Sequence, residues 1–223
     1  MKVLTKIIFC FYREYKLNLS GVQDILTNII FFFVSIFIFI FSIGPDKETI
    51  SLTGIGILWT LLLLSSTLSL RKFYQDDFEN GNLLIIHLNG FSYGFIAILK
   101  TLSHFIFVQI PFLLSIPIAC ILLNISNEKL IYVFISFTIG SLILSCLGSV
   151  SSSMNLMNQR NYLLGSVIVM IFSIPIIIFS VGIINLEENF NSLTNILFGI
   201  LLIVFAINPW ASGLCLKLSL ENN

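Results

Sequence analysis

Two histidines, four cysteines and a short run of carboxylates are the residues of this chain whose types could do chemistry. His104 stands inside a long apolar stretch. An ionisable side chain in such a place is a functional candidate by default, as a metal ligand or as the lining of a polar path. The plainer alternative is a ring hydrogen-bonded to a neighbouring helix. His87 falls in the short apolar run 83–88 and reads as a contact residue rather than a ligand. Cys10, Cys120, Cys146 and Cys215 include no Cys-x-x-Cys pair, and three of them lie in apolar runs. That is the usage of small buried residues, not of disulfides or thiolate ligands. Asp76, Asp77 and Glu79 form an acidic cluster just before the turn signal Asn80-Gly81. No His-Glu-x-x-His, Gly-x-Ser-x-Gly or pair of intramembrane aspartates is present, so a hydrolase is not expected. There is no Gly-x-x-x-x-Gly-Lys-Ser/Thr loop to cradle a nucleotide either. Neither a metal site nor a resident cofactor is expected from these residues.

The elements that hold these groups follow from composition. Of 223 residues, 57% are hydrophobic and 10% charged, against about 25% charged in a soluble domain. So much apolar surface cannot be hidden in one core, but a bilayer accepts it. A helix needs roughly 20 apolar residues to cross the hydrocarbon. Six runs qualify: Ile25–Ile43, Leu52–Leu70, Thr101–Leu123, Leu130–Ser152, Leu163–Ile184 and Leu193–Leu216. None contains Asp, Glu, Lys or Arg. The runs are continuous rather than alternating, which predicts helices and not barrel strands. Turn chemistry separates them, as in Gly44-Pro45-Asp46, Asn124–Asn127, the polar Met154–Tyr162 stretch and Asn185–Asn191. No loop reaches domain size and no internal repeat stands out. The expectation is one all-α integral membrane domain. Net charge is zero and no basic stripe marks a nucleic-acid surface.

Cations set the orientation. Lys2, Lys6, Arg13, Lys16, Arg71, Lys72, Lys100, Arg160 and Lys217 fall on one side of the six runs, and only Lys47 and Lys129 on the other. The first side, with both termini, is therefore expected to be cytoplasmic. Residues 1–20 do not read as a signal peptide, because Lys2, Lys6, Arg13, Glu14 and Lys16 interrupt any apolar core. Leu4, Ile7, Ile8, Phe11, Tyr12, Tyr15 and Leu19 instead recur at helical spacing opposite the cations. That predicts an amphipathic helix lying in the cytoplasmic interface, its cations near anionic headgroups. The alternative is a short helix packed on a partner protein.

The loop at 71–92 is the informative one. Arg71 and Lys72 are expected to end the second span. The acidic cluster and the Asn80-Gly81 turn follow, then Asn82 as a cap for a short helix over 83–88, and Ser92 as the cap of the next helix. The run 83–88 is too short to span and too apolar for a solvated loop. Such a patch marks a docking surface, an interfacial anchor or a plain connector.

These residues carry a family resemblance. Phe73-x-x-Asp-Asp77-x-x-x-Gly81, followed by Lys100-x-Leu102-x-His104-Phe105, resembles the haem exporter protein B family. Ile174-Pro175 through Gly182 resembles its fifth span, and Asn208-Pro209-Trp210 through Leu220 its C-terminus. The chain departs from the family in having Leu83-Leu84 and Leu88-Asn89-Gly90 where the family has an acidic residue and Ser-Pro. The resemblance implies a fold like the type-2 ABC exporters, with an interfacial N-terminal helix, six spans and a coupling helix in the 71–92 loop. It implies the permease role in c-type cytochrome biogenesis, exporting haem or releasing a haem-loaded chaperone. It implies partners too: a separate cytoplasmic ATPase chain, other cytochrome c maturation membrane subunits and a second copy of this chain. Its setting is the bacterial inner membrane or the mitochondrial one. Phe73, Asp76, Asp77, Glu79, Gly81, Leu84 and Ile85 are then the candidate ATPase-docking residues. Haem is the ligand that the complex would handle, and His104 is the one candidate to touch its iron.

Two other classes stay open. A secondary transporter generally needs ionisable groups within the membrane, and the six runs lack carboxylates and ammoniums. A passive assembly subunit would anchor partners without moving anything. Pro111, Pro117 and Pro175 read equally as hinges or harmless kinks. The small residues of Gly140–Ser153 read as a close-packing stripe or the lining of a polar path.

Overall fold

Backbone polar groups have no partner in lipid, so an apolar run that crosses it must bond its own N–H and C=O groups as a helix. The computed structural model shows this outcome, describing residues 2–44, 46–70, 73–157, 163–185 and 189–221. The helices are α1 (Lys2–Ser20), α2 (Val22–Ile43), α3 (Lys47–Ser69), α4 (Gln75–Glu79), α5 (Asn82–Leu88), α6 (Tyr93–His104), α7 (Ile110–Leu122), α8 (Leu130–Met157), α9 (Leu163–Asn185) and α10 (Phe190–Glu221). A π-helical turn, Phe105–Gln109, joins α6 to α7. Among the described residues six helices are long and apolar enough to cross a membrane, with α6, the π turn and α7 counting as one. No strand is present among the described residues. The all-α, six-span expectation is met.

The ends differ from the sequence reading. The third span starts at Tyr93 rather than Thr101, so Lys100 belongs to the helix. The sixth runs on to Glu221 and carries Lys217. Arg71 and Lys72, Pro45, Arg160 and most of the Met154–Tyr162 polar stretch lie outside the described residues.

The core is helix against helix. Trp59 of α3, Phe137 of α8, Phe32 of α2 and Phe112 of α7 are among the largest fully buried side chains. The Trp59 and Phe137 rings lie 4.2 Å apart, and those of Phe32 and Phe112 meet edge-on at 5.6 Å. α8 is the central element, packed against α10, α9, α6 and α3. Its small residues permit this: Gly140, Ser141, Ser145, Gly148 and Ser149 are all buried. Outward faces are greasy, as on Phe41, Leu52, Leu114, Ile121 and Trp210, which suits contact with lipid tails. The free cysteines Cys10, Cys120 and Cys146 are buried and Cys215 half-buried.

Candidate functional site

Residues 73–92 fold as two short helices rather than a loop with one. α4 holds the acidic cluster, and α5 follows after Gly81. Gly81 sits at φ 68°, a conformation that glycine adopts without penalty, and it forms the N-cap of α5. Asn82, expected as the cap, is instead in the first turn, and its side-chain amide donates to Asp77 Oδ1 at 3.1 Å. Ser92 does cap α6, accepting from the Phe95 N–H at 3.2 Å.

α5 is two-faced. Leu83 and Ile86 are buried against the rest of the chain, while Leu84, Ile85 and Leu88 are 44, 55 and 76% exposed. His87 turns back: its Nδ1 donates to the Phe91 carbonyl at 2.9 Å and its ring stacks on Tyr93 at 4.0 Å. So the outward surface of α5 is aliphatic.

The candidate docking residues divide. Asp76, Glu79, Leu84 and Ile85 are exposed. Phe73 and Asp77 do not: they are 7 and 3% exposed and face inward. Phe73 packs on Tyr74 and His104, with ring separations of 4.9 Å each. Asp77 is an ion-pair partner of Arg13 and Lys100. A side chain closed off in this way is not part of a surface, so their expected place in the docking patch is corrected.

Around Asp77 lies a cluster that sequence reasoning did not foresee. Arg13 Nη1 pairs with Glu14 Oε1 at 2.7 Å, and Lys100 Nζ pairs with Glu14 Oε2 at 3.0 Å. Two carboxylates and two cations from α1, α4 and α6 thus neutralise one another. Burial pushes the Asp77 carboxyl up, but Lys100 and Arg13 outweigh it and hold the group below the usual carboxylate range. The signals were there: Glu14 is the sole carboxylate among the cations of residues 1–20, and Lys100 the sole charge between the loop and the third run.

α1 lies along this assembly. Lys6 Nζ donates to the Asn89 carbonyl at 3.0 Å, and Asn18 Nδ2 donates to Ser103 Oγ at 3.0 Å. Ile8, Phe9, Tyr12 and Tyr15 are exposed along it, although Tyr15 also packs on Phe107 with ring centroids 5.8 Å apart. That is the disposition of a helix with its apolar side toward lipid.

Beneath the loop a cavity of about 480 Å³ is walled by residues including Asn18, Asp24, Asp76, Lys100 and His104. His104 is buried, with Nε2 2.8 Å from Ser69 Oγ and Nδ1 3.1 Å from Ser145 Oγ. Both ring nitrogens are engaged by serine hydroxyls, so neither is presented as an open ligand. This is the hydrogen-bonded alternative. A second polar chain runs from Tyr74 Oη to Ser149 Oγ (2.7 Å), on to Ser212 Oγ (3.1 Å) and to Asn208, whose amide donates to Thr101 Oγ1 at 2.9 Å. It ties the loop to α8, α10 and α6. No group of three or more His, Cys, Asp or Glu that could hold a metal occurs among the described residues.

Known proteins match most of this chain's length. The family model described as CcmB protein matches residues 5–219. A protein named heme exporter protein B from Haemophilus influenzae is 27% identical over 213 residues, covering 94% of this chain and 96% of the relative. Its namesake in Bradyrhizobium diazoefficiens gives the same identity and coverage. The one in Rhodobacter capsulatus is 25% identical, over 94% of this chain and 97% of the relative. The chain belongs to the CcmB protein family.

Proposed function

From membership of that family, we propose that this chain is the transmembrane permease subunit of an ABC transporter complex in c-type cytochrome biogenesis, exporting haem or driving release of a haem-loaded chaperone. The observation that carries the reading is α5: three exposed aliphatic side chains, Leu84, Ile85 and Leu88, on a short helix anchored to α1 and α6. Such a patch is built to be covered. The occupant is a cytoplasmic ATPase, since the sequence holds no nucleotide-cradling loop of its own. Asp76 and Glu79, exposed on the preceding helix, would serve orientation and on-rate more than affinity.

Two copies assemble per complex, with two ATPase chains, because six spans are half of what an ABC exporter uses to build a central path. Other cytochrome c maturation subunits share the membrane. The chain resides in a bacterial inner membrane or its mitochondrial counterpart. The nine-to-two cation bias supports both termini and the α4–α5 segment on the cytoplasmic or matrix side. Single cysteines at Asn82 and Asn127 should label from opposite faces; labelling of both from one face contradicts six spans in this order.

The direct test is deletion of the chain with complementation. Mature c-type cytochromes should disappear without it and return with it, and a nucleotide-hydrolysing subunit should co-purify with the tagged chain. Return of the cytochromes with an ATPase that cannot hydrolyse would make the chain a passive anchor. Proton flux through the chain alone would make it a carrier.

A further inference from the structure

The cluster of Arg13, Glu14, Asp77 and Lys100 has no stabilising reason to exist. Buried ion pairs seldom do better than packed apolar side chains of the same size. This chain strips charge from its membrane runs, yet it places four charges together where three separate segments meet. Glu14 and Asp77 carboxylates are 2 and 4% exposed, and the Lys100 side chain 11%.

The connectivity says what the cluster joins. α5, with its exposed aliphatic face, is joined to α6 by the short turn 89–92, across which His87 stacks on Tyr93. A push on α5 could be lost by bending there. α1 closes that joint like a splint. Lys6 holds the far end of α5 at the Asn89 carbonyl, Arg13 and Glu14 hold Asp77 and Lys100, and Asn18 holds Ser103. The block so formed ends at His104. Directly below it the helix changes pitch at the π turn Phe105–Gln109, followed by Pro111. π turns in long helices recur at functional sites, and proline removes a backbone hydrogen bond. Gln109 within that turn is fully buried, and neither its amide nitrogen nor its oxygen meets a partner among the described residues.

We propose that Glu14 and Lys100 are positioning residues: with Asp77 they clamp the α4–α5 segment to the third span, so that movement imposed on α5 enters the membrane through α6 instead of dissipating at the 89–92 turn. The inference rests on the reading of α5 as the ATPase contact. α1 is thereby a working part of the coupling apparatus as well as a membrane-surface helix.

The experiment uses the whole complex, with ATPase, and the double variant Glu14→Gln with Lys100→Gln. It removes one carboxylate and one ammonium together and leaves the Arg13–Asp77 pair in place. Three quantities are read: ATPase co-purification, nucleotide hydrolysis, and mature c-type cytochrome in cells. The expected result is a split, with binding and hydrolysis at wild-type level while cytochrome output falls on the order of 5–150-fold, the range of ordinary coupling energies. The single variant Lys100→Arg keeps the charge and should keep the output. Unchanged output in the double variant overturns the clamp. So does a parallel loss of chain level, binding and output, which would make the cluster a folding element only. Equal loss from Lys100→Arg and Lys100→Gln would assign the effect to packing and overturn it as well. If the wild-type chain holds no ATPase at all, the functional reading fails first, and that outcome is distinct from the others.

Discussion

Gly140 of α8 lies directly under the indole of Trp59 on α3: a Cβ built at residue 140 would stand 2.2 Å from Trp59 Cη2. Trp59 is fully buried and its ring is also against Phe137, so it has no room to retreat. Gly140→Ala should therefore destabilise the chain by about 1–3 kcal/mol, the usual cost of overpacking. Gly56 on α3 is the control, because a Cβ there meets nothing within 4 Å. Gly56→Ala should be neutral or stabilising by up to ~1 kcal/mol. Thermal unfolding in detergent separates the two, and equal melting temperatures would contradict the packing described.

Asp76 and Asp77, adjacent in sequence, should behave very differently. Asp76 is exposed, and Asp76→Ala should change stability by about 0.5 kcal/mol or less. Asp77→Ala leaves Arg13 and Lys100 with only Glu14 between them, and breaking a buried pair costs about 3–5 kcal/mol. The same cluster sets a pH response. The groups that face Asp77 are Arg13, Lys100 and, across them, Glu14. Since the Asp77 pKa is lowered on folding, its contribution is complete above the ordinary carboxylate range and fades as pH falls through its depressed value. Stability of the wild type relative to Asp77→Asn should be flat from neutral pH down to the carboxylate range and shrink only below it. A loss centred near neutrality would contradict the assignment.

His104→Gln should reduce stability by about 1 kcal/mol for each hydrogen bond weakened and leave cytochrome maturation intact. Ser69 and Ser145 keep partners without the ring, donating to the Ser66 and Ser141 carbonyls at 2.7 and 3.0 Å. Maturation measured alongside chain level checks this. Lost output at normal chain level would restore His104 as a ligand.

How much could be read in advance follows from what sequence periodicity encodes. Apolar runs announce α2, α3 and α7 through α10, because lipid imposes one rule on every residue of a span. The two faces of α5 were legible in part, since Leu84 and Ile85 stood out as too apolar for a loop. The inward turn of Phe73 and Asp77 was not, because it depends on Arg13 and Lys100 arriving from α1 and α6, more than 20 residues away on either side. The Ser92 cap marked the helix start at Tyr93, but the apolar run was read only from Thr101, because Lys100 looks like a boundary until its charge is matched by Glu14 and Asp77. The π turn at Phe105–Gln109 leaves no mark in composition beyond Pro111 close behind it.

The proposed permease role depends on α5 being the place where a cytoplasmic ATPase holds the chain. Leu84 is exposed and points away from the core, so Leu84→Asp should leave folding and membrane insertion unchanged. At a contact it would replace a buried side chain worth about 1.5–3 kcal/mol with an unpaired charge that costs several kcal/mol more. The measurement is co-purification of the ATPase with wild-type and Leu84→Asp chains at matched membrane levels, together with mature cytochrome c in the same cells. The variant chain should be recovered from the membrane without its ATPase, and cytochrome maturation should stop. Recovery of the ATPase in wild-type yield, with normal maturation, would contradict that role.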